Sequence, residues 1–541
     1  SRSLMFSRTF HPDEANQAFT VGRLLETGHY TYRPTDHHGP TLYYAAAPLQ
    51  RAFGHTTTAD LDGTLLRCTP LLFAVLGLLL LAHAVFRLSR SWLGALMTVL
   101  LVGTAPLFAF FATDFIQEML LVCFTLTMLW AGVGYERALH PDAAAPRRLK
   151  PGTWALLFGI AAGLAFATKE TSLLAFAAAG LTLCGLWAFR AFGFRNGMAH
   201  IPRPNVQHVV LAALGFALTA VLFFSSFCQD WAGVYNAFVA APLHYLGRAV
   251  GNAAASEGAN WHIHPWWQHL QWLFCGNAPL PRSSSGFTVD LAFANILPLT
   301  QFVFTVLPLA VFAVCRRNLR EHLNRPLLWA FFGTSLYTAL LLSFYSILPY
   351  KTPWCTLQLL VPFLVSVSLG LILGRDIVRA VAVARGASPR TAQVVASLFF
   401  LVALPLASLL AEHVPGLVRM ARDPDSPAIP YNYAHASPEA RQLAACVAEA
   451  VAASPSKSPF VAVALPPADT WPFPWYNRTR EHLTGYWTKF DDLVALAKTG
   501  AKPTVVVVPM TEGHLVQPLF PHLTHTKRFY MRPRVRVRVF W

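Results

Sequence analysis

Charge is what this 541-residue sequence has least of. Asp, Glu, Lys and Arg make up 13% of it against 55% hydrophobic residues, and mean hydropathy is +0.43, a balance that excludes a soluble globular domain. Cysteine supplies no disulfide framework: of the eight, Cys68, Cys123, Cys184, Cys228 and Cys315 fall within or at the ends of apolar runs, where they act as small hydrophobes. Internal repeats at a solenoid period and long low-complexity tracts are also missing, which argues against a repeat array. What is present is ten apolar runs, near 65–86, 92–112, 117–135, 152–168, 172–192, 209–228, 294–315, 326–348, 354–374 and 393–412. Each approaches the roughly 20 residues that a helix needs to cross a bilayer. The sequence therefore predicts a polytopic α-helical membrane protein.

The net charge of +16 does not indicate nucleic acid, because the basic residues alternate with the apolar runs and form no single patch. One set of connections holds Arg87 and Arg90, Arg137 and Lys150, Arg190 and Arg203, Arg316 and Arg325, and Arg375 and Arg390. The alternate set, after residue 112, holds only Lys169, Arg248, Arg282 and Lys351. By the positive-inside rule the first set is cytoplasmic, which places the chain in the cytoplasmic (inner) membrane with residues 1–64 outside. That orientation predicts one further span before Ser1, a signal anchor or first helix, giving eleven in all.

Four regions are expected: a first extracytoplasmic loop at 1–64, a multi-span domain at 65–412 with a second outer loop at 229–293, a linker at 413–429, and an extracytoplasmic α/β domain at 430–541. In the first loop, Gly28 ends a helical stretch. In the second, "NWHIHPWWQHLQWLF" carries Trp261, Trp266, Trp267 and Trp272 and predicts a helix in the interface plane, with the tryptophans as membrane anchors ahead of sugar-stacking surfaces. The tail alternates a helix begun by Ser437 and Pro438, the strand "PFVAVAL", the helix "DDLVALAKTG" and the strand "KPTVVVVP". It closes on "RPRVRVRVFW", where Arg534, Arg536 and Arg538 share one strand face, either a solvated edge face or one set against anionic headgroups.

The ionisable residues gather in one layer. Asp13 and Glu14, Asp36, Asp114 and Glu118, Lys169 and Glu170, and Lys351 all fall at outer span ends or in outer loops, where charge near a membrane marks function unless it merely snorkels. "FFATDFIQEML" predicts Asp114 and Glu118 on one face at a helix start, which could equally serve the helix N-terminus. "FATKETSLL" puts Lys169 and Glu170 on a tight hairpin, where a local ion pair is the plainer use. "YSILPYKTPWC" holds Lys351 between Pro349 and Pro353, with Trp354 at the interface. His11, His37 and His38 near Asp13 and Glu14, and His262 with His264, could bind a divalent ion, but no spacing is diagnostic. His37, His38, Glu170 and Trp354 join the list of substrate-contacting candidates.

An outer "DE" in the first loop, a later acid, a "TKE" hairpin and many spans before an α/β tail together resemble the GT-C glycosyltransferases. More closely, "HPDEANQAF", "RLLETGHYTYRPTDHHGPTLYY", "GLAFATKETSLL", "YKTPWC", "YNYAHASPEARQL" and "WPFPWYNRTREHLTGYW" look like the family-39-type, flippase-activity-associated proteins of archaeal-type N-glycosylation. That family is related to the protein O-mannosyltransferases and the lipid A aminoarabinose transferase, which take sugar from a polyprenyl-phosphate donor. The resemblance implies Asp13 as the leading catalytic acid, Glu14 as its neighbour and Asp114 as the second acid. It implies a hexosyltransferase of glycan assembly in the cell envelope, whose acceptor is a glycan, a lipid or a protein.

Chemistry gives the same outline. A sugar on a lipid phosphate already has a good leaving group, so a base and a cation suffice. Asp13 would accept the acceptor's proton, and Lys169, Lys351 or Arg248 would offset charge left on the phosphate, with inversion at the anomeric carbon. A flippase or transporter of lipid-linked sugars is the main rival, yet it would place its binding groups near the midplane in repeated halves. A membrane-anchored accessory protein of glycan assembly is the other.

Overall fold

The computed structural model describes residues 4–35, 38–139, 149–191, 205–249, 262–276, 289–315, 324–433, 435–532 and 535–541. Among the described residues, six helices are long and apolar enough to cross a membrane: Gly63–Ser89, Glu118–Leu139, Val206–Phe224, Arg325–Ile347, Pro353–Ala384 and Pro389–Arg422. Shorter apolar helices, Trp92–Thr104, Pro151–Phe166, Ser172–Ala188 and Ile296–Phe312, occupy the other four predicted runs. The chain is thus a multi-pass membrane protein, mostly helical, with a mixed β-sheet near its C-terminus.

Numbered from the N-terminus, the first nine helices are α1 (Pro12–Thr27), α2 (Thr41–Ala52), α3 (Gly63–Ser89), α4 (Trp92–Thr104), α5 (Pro106–Phe111), α6 (Glu118–Leu139), α7 (Pro151–Phe166), α8 (Ser172–Ala191) and α9 (Val206–Phe224). Local chemistry starts several of them. Asn205 caps α9 through its side chain, Asn324 caps the Arg325–Ile347 helix, and Pro151 occupies the first turn of α7, where a missing N–H costs nothing. The α7–α9 contact depends on small residues. A Cβ on Gly159 or Gly163 would run into the Ala212 or Phe216 carbonyl, so the two backbones meet directly, as packing in lipid favours. Pro353–Ala384 is 94% buried across its most apolar window and Val206–Phe224 only 17%. The first is enclosed by other helices, and the second presents its side chains outward, where lipid would cover them.

Two compact units make up the chain. One comprises Ser1–His29, Tyr43–Arg67 and Met420–Trp541, the other Tyr30–Leu42 and Cys68–Arg419. The first unit holds a five-stranded sheet of β1 (Val461–Ala464), β2 (Thr484–Trp487), β3 (Val505–Pro509), β4 (Thr526–Arg532) and β5 (Val535–Phe540), in the order β2-β1-β3-β5-β4. β1 runs parallel to β2 and β3, while β5 is antiparallel to both β3 and β4. Val505 and Val507 pack with Leu443 and Val447 on one face, and Val506 and Val508 with Leu493 and Phe520 on the other. Burial on both faces explains the unbroken valine run. β5 lies inside the sheet, so Arg536 and Arg538 are not on an edge strand; each guanidinium lies over an aromatic ring, Tyr530 at 4.6 Å and Phe540 at 5.9 Å. Arg534 lies outside the described residues.

Two sequence expectations need correction. α6 begins at Glu118, so Asp114 lies on the turn that precedes it and shares no helical face with Glu118. The tryptophan-rich segment is helical only over Gln268–Leu270 and Gln271–Cys275, because residues 262–264 extend to pair with the Tyr350 region through an Ile263–Tyr350 bridge. Trp266 and Trp267 are exposed, but Trp272 is 1% exposed and belongs to the core, not to a surface belt. Trp261 lies outside the described residues.

Candidate functional site

In the first unit the chemistry begins where α1 begins. Pro12 fixes the first turn, the His11 ring nitrogen Nδ1 accepts from the Asp13 amide at 3.1 Å, and the Glu14 carboxylate accepts from the His11 amide at 3.0 Å, a reciprocal cap that sets the helix start. Gly28, at φ +80°, ends it as expected. Glu14 is fully buried and takes two bonds from Arg67, Nε to Oε1 at 2.8 Å and Nη2 to Oε2 at 2.6 Å. The same guanidinium donates to the Arg8 carbonyl at 2.7 Å and lies 4.4 Å from the Phe10 ring centroid. A fork so engaged is fixed in place.

Asp13 is different. Its side chain is 50% exposed, with the His11 ring 3.7 Å away. Two adjacent acids therefore hold two distinct positions, one locked in a buried ion pair and one open to whatever approaches.

The C-terminal part of the same unit braces this corner. Phe10 stacks on Trp475 at 4.6 Å and its amide donates to the Tyr476 hydroxyl at 2.8 Å. His11 Nε2 is 3.0 Å from the Tyr433 carbonyl, and its ring lies 4.7 Å from that of His435. Burial, then the positive charge of neighbours that include Arg8 and Arg67, pushes the His435 imidazole well below its ordinary value. A Glu14 oxygen and a His435 nitrogen come within 4.8 Å of each other, two ligand types that could hold a metal ion, although Glu14 is already matched by Arg67. Arg67 escaped the sequence reading because a lone arginine near the start of an apolar run looks like a span-end residue; its one signal was that it stands inside the run 65–86 and not in the connection before it.

The second unit holds the lysines. Lys169, on the turn between α7 and α8, is buried in an ion pair with Glu118. Burial, the largest single influence, would lower its ammonium, but the charge and hydrogen bond of Glu118, with Cys355 and Glu170 adding to them, together outweigh it and hold the lysine above its ordinary value. Its partner is thus not the adjacent Glu170. That carboxylate accepts from the Tyr32 hydroxyl at 2.7 Å and bonds His38 Nδ1 at 2.8 Å; burial opposes its charge, yet His38 first among its partners holds it below the ordinary carboxylate value. Thr41 meets Thr168 at 2.8 Å, and the Asn236 amide donates to the Tyr32 carbonyl at 3.0 Å. The segment 30–42 is therefore tied to the α7–α8 turn. His37 and Asp36 lie outside the described residues.

Lys351 is buried, and its Nζ donates to the Ser346 carbonyl at 3.1 Å and to the Leu348 carbonyl. Among the described residues no carboxylate pairs with it, and burial lowers its ammonium from the ordinary lysine value. Its amide donates to the His262 carbonyl at 2.8 Å, which spends the 262–264 segment on backbone pairing. His264 and the buried His269 both feel the Lys351 charge; burial first, then that charge, brings the His269 imidazole down to about 3. Trp354 follows on a short 3-10 turn, Pro353–Thr356, half-buried. Arg248 is on a helix, Ala241–Ala249, but its side chain lies outside the described residues. Asp114 is 2% exposed.

No family model and no curated protein matches the sequence. Solved structures do match in fold. ArnT from Cupriavidus metallidurans bound to undecaprenyl phosphate superimposes with a TM-score of 0.61 at 15% identity, over 99% of this chain and 95% of that one. The same protein in the apo state gives 0.58 at 14% identity over the same shares. The fold is GT-C-like along nearly the whole length of both chains.

Proposed function

We propose that the chain transfers a sugar from a polyprenyl-phosphate donor to an acceptor hydroxyl on the extracytoplasmic face, inverting the anomeric centre. The observation that carries this reading is the unequal fate of the two adjacent acids at the start of α1: Glu14 is locked onto Arg67, leaving Asp13 half-exposed. A base must reach solvent-borne substrate and needs a rigid mount. Glu14 and the His11 cap supply the mount, and Asp13 supplies the base. The likeness in fold to a protein that binds undecaprenyl phosphate supports a lipid phosphate as the leaving group.

Lys351 is the better candidate for that phosphate. Lys169 already has a buried counter-charge in Glu118, whereas among the described residues Lys351 has only carbonyl oxygens as partners, which a phosphate could supplement or displace. As the acceptor oxygen attacks the anomeric carbon, its proton passes to Asp13 and the bond to the phosphate oxygen breaks, with Lys351 offsetting the released charge. Asp114 remains a candidate second acid, and His38 with Glu170 positions the 30–42 segment.

The test is an assay of the purified protein in lipid with a panel of polyprenyl-phosphate sugars, following release of polyprenyl phosphate. At least one donor should be consumed, and only when acceptor is present. Donors that bind but are moved unchanged across the bilayer would favour the transporter.

A further inference from the structure

The first unit contains a cleft of about 770 Å³ that the proposed chemistry does not use. One wall is α1, through Asn16, Phe19, Arg23 and Glu26; the facing wall comes from the C-terminal part, through Trp471, Glu481 and Trp487 among others. On α1 the lining residues Asn16, Phe19, Arg23 and Glu26 are spaced three, four and three apart and so share one side of the helix, and Asn16 at its near end is the i+3 neighbour of the exposed Asp13. At 1.5 Å per residue the lining starts about 5 Å and ends about 20 Å along the axis from Asp13.

The chemistry of the lining selects a ligand class. Phe19 and Trp471 meet edge to face at 5.4 Å, and both remain half-buried, so ring surface is available for apolar C–H faces. Charges cancel: Arg23 and Arg478 against Glu26 and Glu481. Arg478 is also drawn away, stacked 4.0 Å over Trp475 and donating to the Leu61 carbonyl at 2.9 Å. Glu26 and Glu481 both line the cleft and form one acceptor-rich stretch, where partial desolvation of Glu481 and then the Glu26 charge raise its carboxyl above the ordinary value. A phosphorylated or sulfated ligand would meet two carboxylates, and an acyl chain would leave the polar groups unmatched. A neutral, hydroxyl-rich molecule with flat apolar faces satisfies both sets.

We infer that this cleft binds a neutral saccharide chain, and that the chain is the acceptor, its end delivered along α1 to Asp13. This rests on the transferase reading and narrows its acceptor from glycan, lipid or protein to a glycan several sugars long. Aromatic faces hold the rings, Glu26 and Glu481 accept from hydroxyls, and Arg23 donates to them. Such a site gives register to the acceptor without touching the reacting atoms.

The experiment uses the full chain in nanodiscs on a printed array of neutral oligosaccharides, with uncharged peptides and anionic glycans on the same array, and with undecaprenyl phosphate binding measured separately. Neutral glycans should be retained in preference to both other classes, with affinity rising as chains lengthen. Trp471→Ala and Glu481→Gln should each weaken glycan binding at least tenfold while undecaprenyl phosphate binding stays unchanged. Glu481→Gln serves if the tryptophan variant fails to fold, because Glu481 is exposed. Retention of peptides or of anionic glycans instead, no glycan retention, or equal glycan retention by a folded variant would overturn the inference. If the lipid phosphate binds while glycans do not, only the acceptor site fails; if neither binds, the transferase reading fails with it.

Discussion

At the scale of residues, the lysines show how burial redistributes roles that look equal in sequence. Lys169 and Lys351 both stand on turns between apolar runs, and neither looks bound to packing. Lys169 is in fact one half of a buried pair with Glu118, both side chains at most 5% exposed. Lys169→Met strands the Glu118 charge, and breaking such a pair costs about 3–5 kcal/mol. A marked fall in melting temperature is expected in detergent, with partial recovery in the Lys169→Met, Glu118→Leu double variant; an unchanged melt would show the pair to be dispensable. Lys351→Met removes a cation that has no counter-charge among the described residues, so it should fold and bind the donor lipid weakly. Burial favours the neutral amine in the free protein and lowers the group below its unfolded value of 10.5, whereas bound phosphate favours the ammonium. Donor affinity of the wild type should therefore decline as pH rises through that lowered value, before pH 10.5, while the Met variant shows a weak and flat profile over the same range.

Among elements, legibility followed locality. The end of α1 at Gly28 could be read directly, because a left-handed cap needs glycine and the apolar period stops there. No atom lies within 4 Å of a Cβ built at Gly28, so Gly28→Ala tests backbone strain alone and should destabilise by about 1 kcal/mol. Thermal unfolding of the two proteins measures it. The valine run of β3 and the alternating β5 were equally plain, since their periods are local. β2 and β4 were not, because "TGYW" and "TKRFYMR" take their strand character from neighbours in the sheet and not from their own pattern. The tryptophan-rich segment misled for the same reason: Trp272 is taken into the core by contacts with His264 and His269, which no local period announces. Arg67 as the partner of Glu14, 53 positions away, and Glu118 as the partner of Lys169 belong to that long-range class.

For the molecule as a whole, the scarcity of charge was enough to predict helices at all ten runs, and the alternation of basic connections is the ground for the orientation we propose. Reporter fusions after Lys150 and after Arg422 should report opposite compartments; a shared compartment would sink the proposed topology. Acceptance of the GT-C-like fold leaves the reaction to be decided at one side chain. The most direct measurement is sugar transfer by Asp13→Asn protein in lipid, with donor binding followed in the same preparation, because the change removes a base and preserves shape and the neighbouring Glu14–Arg67 pair. The account predicts normal insertion, normal donor binding and a rate lower by about 10²-fold to 10⁴-fold. Transfer at the wild-type rate would contradict it.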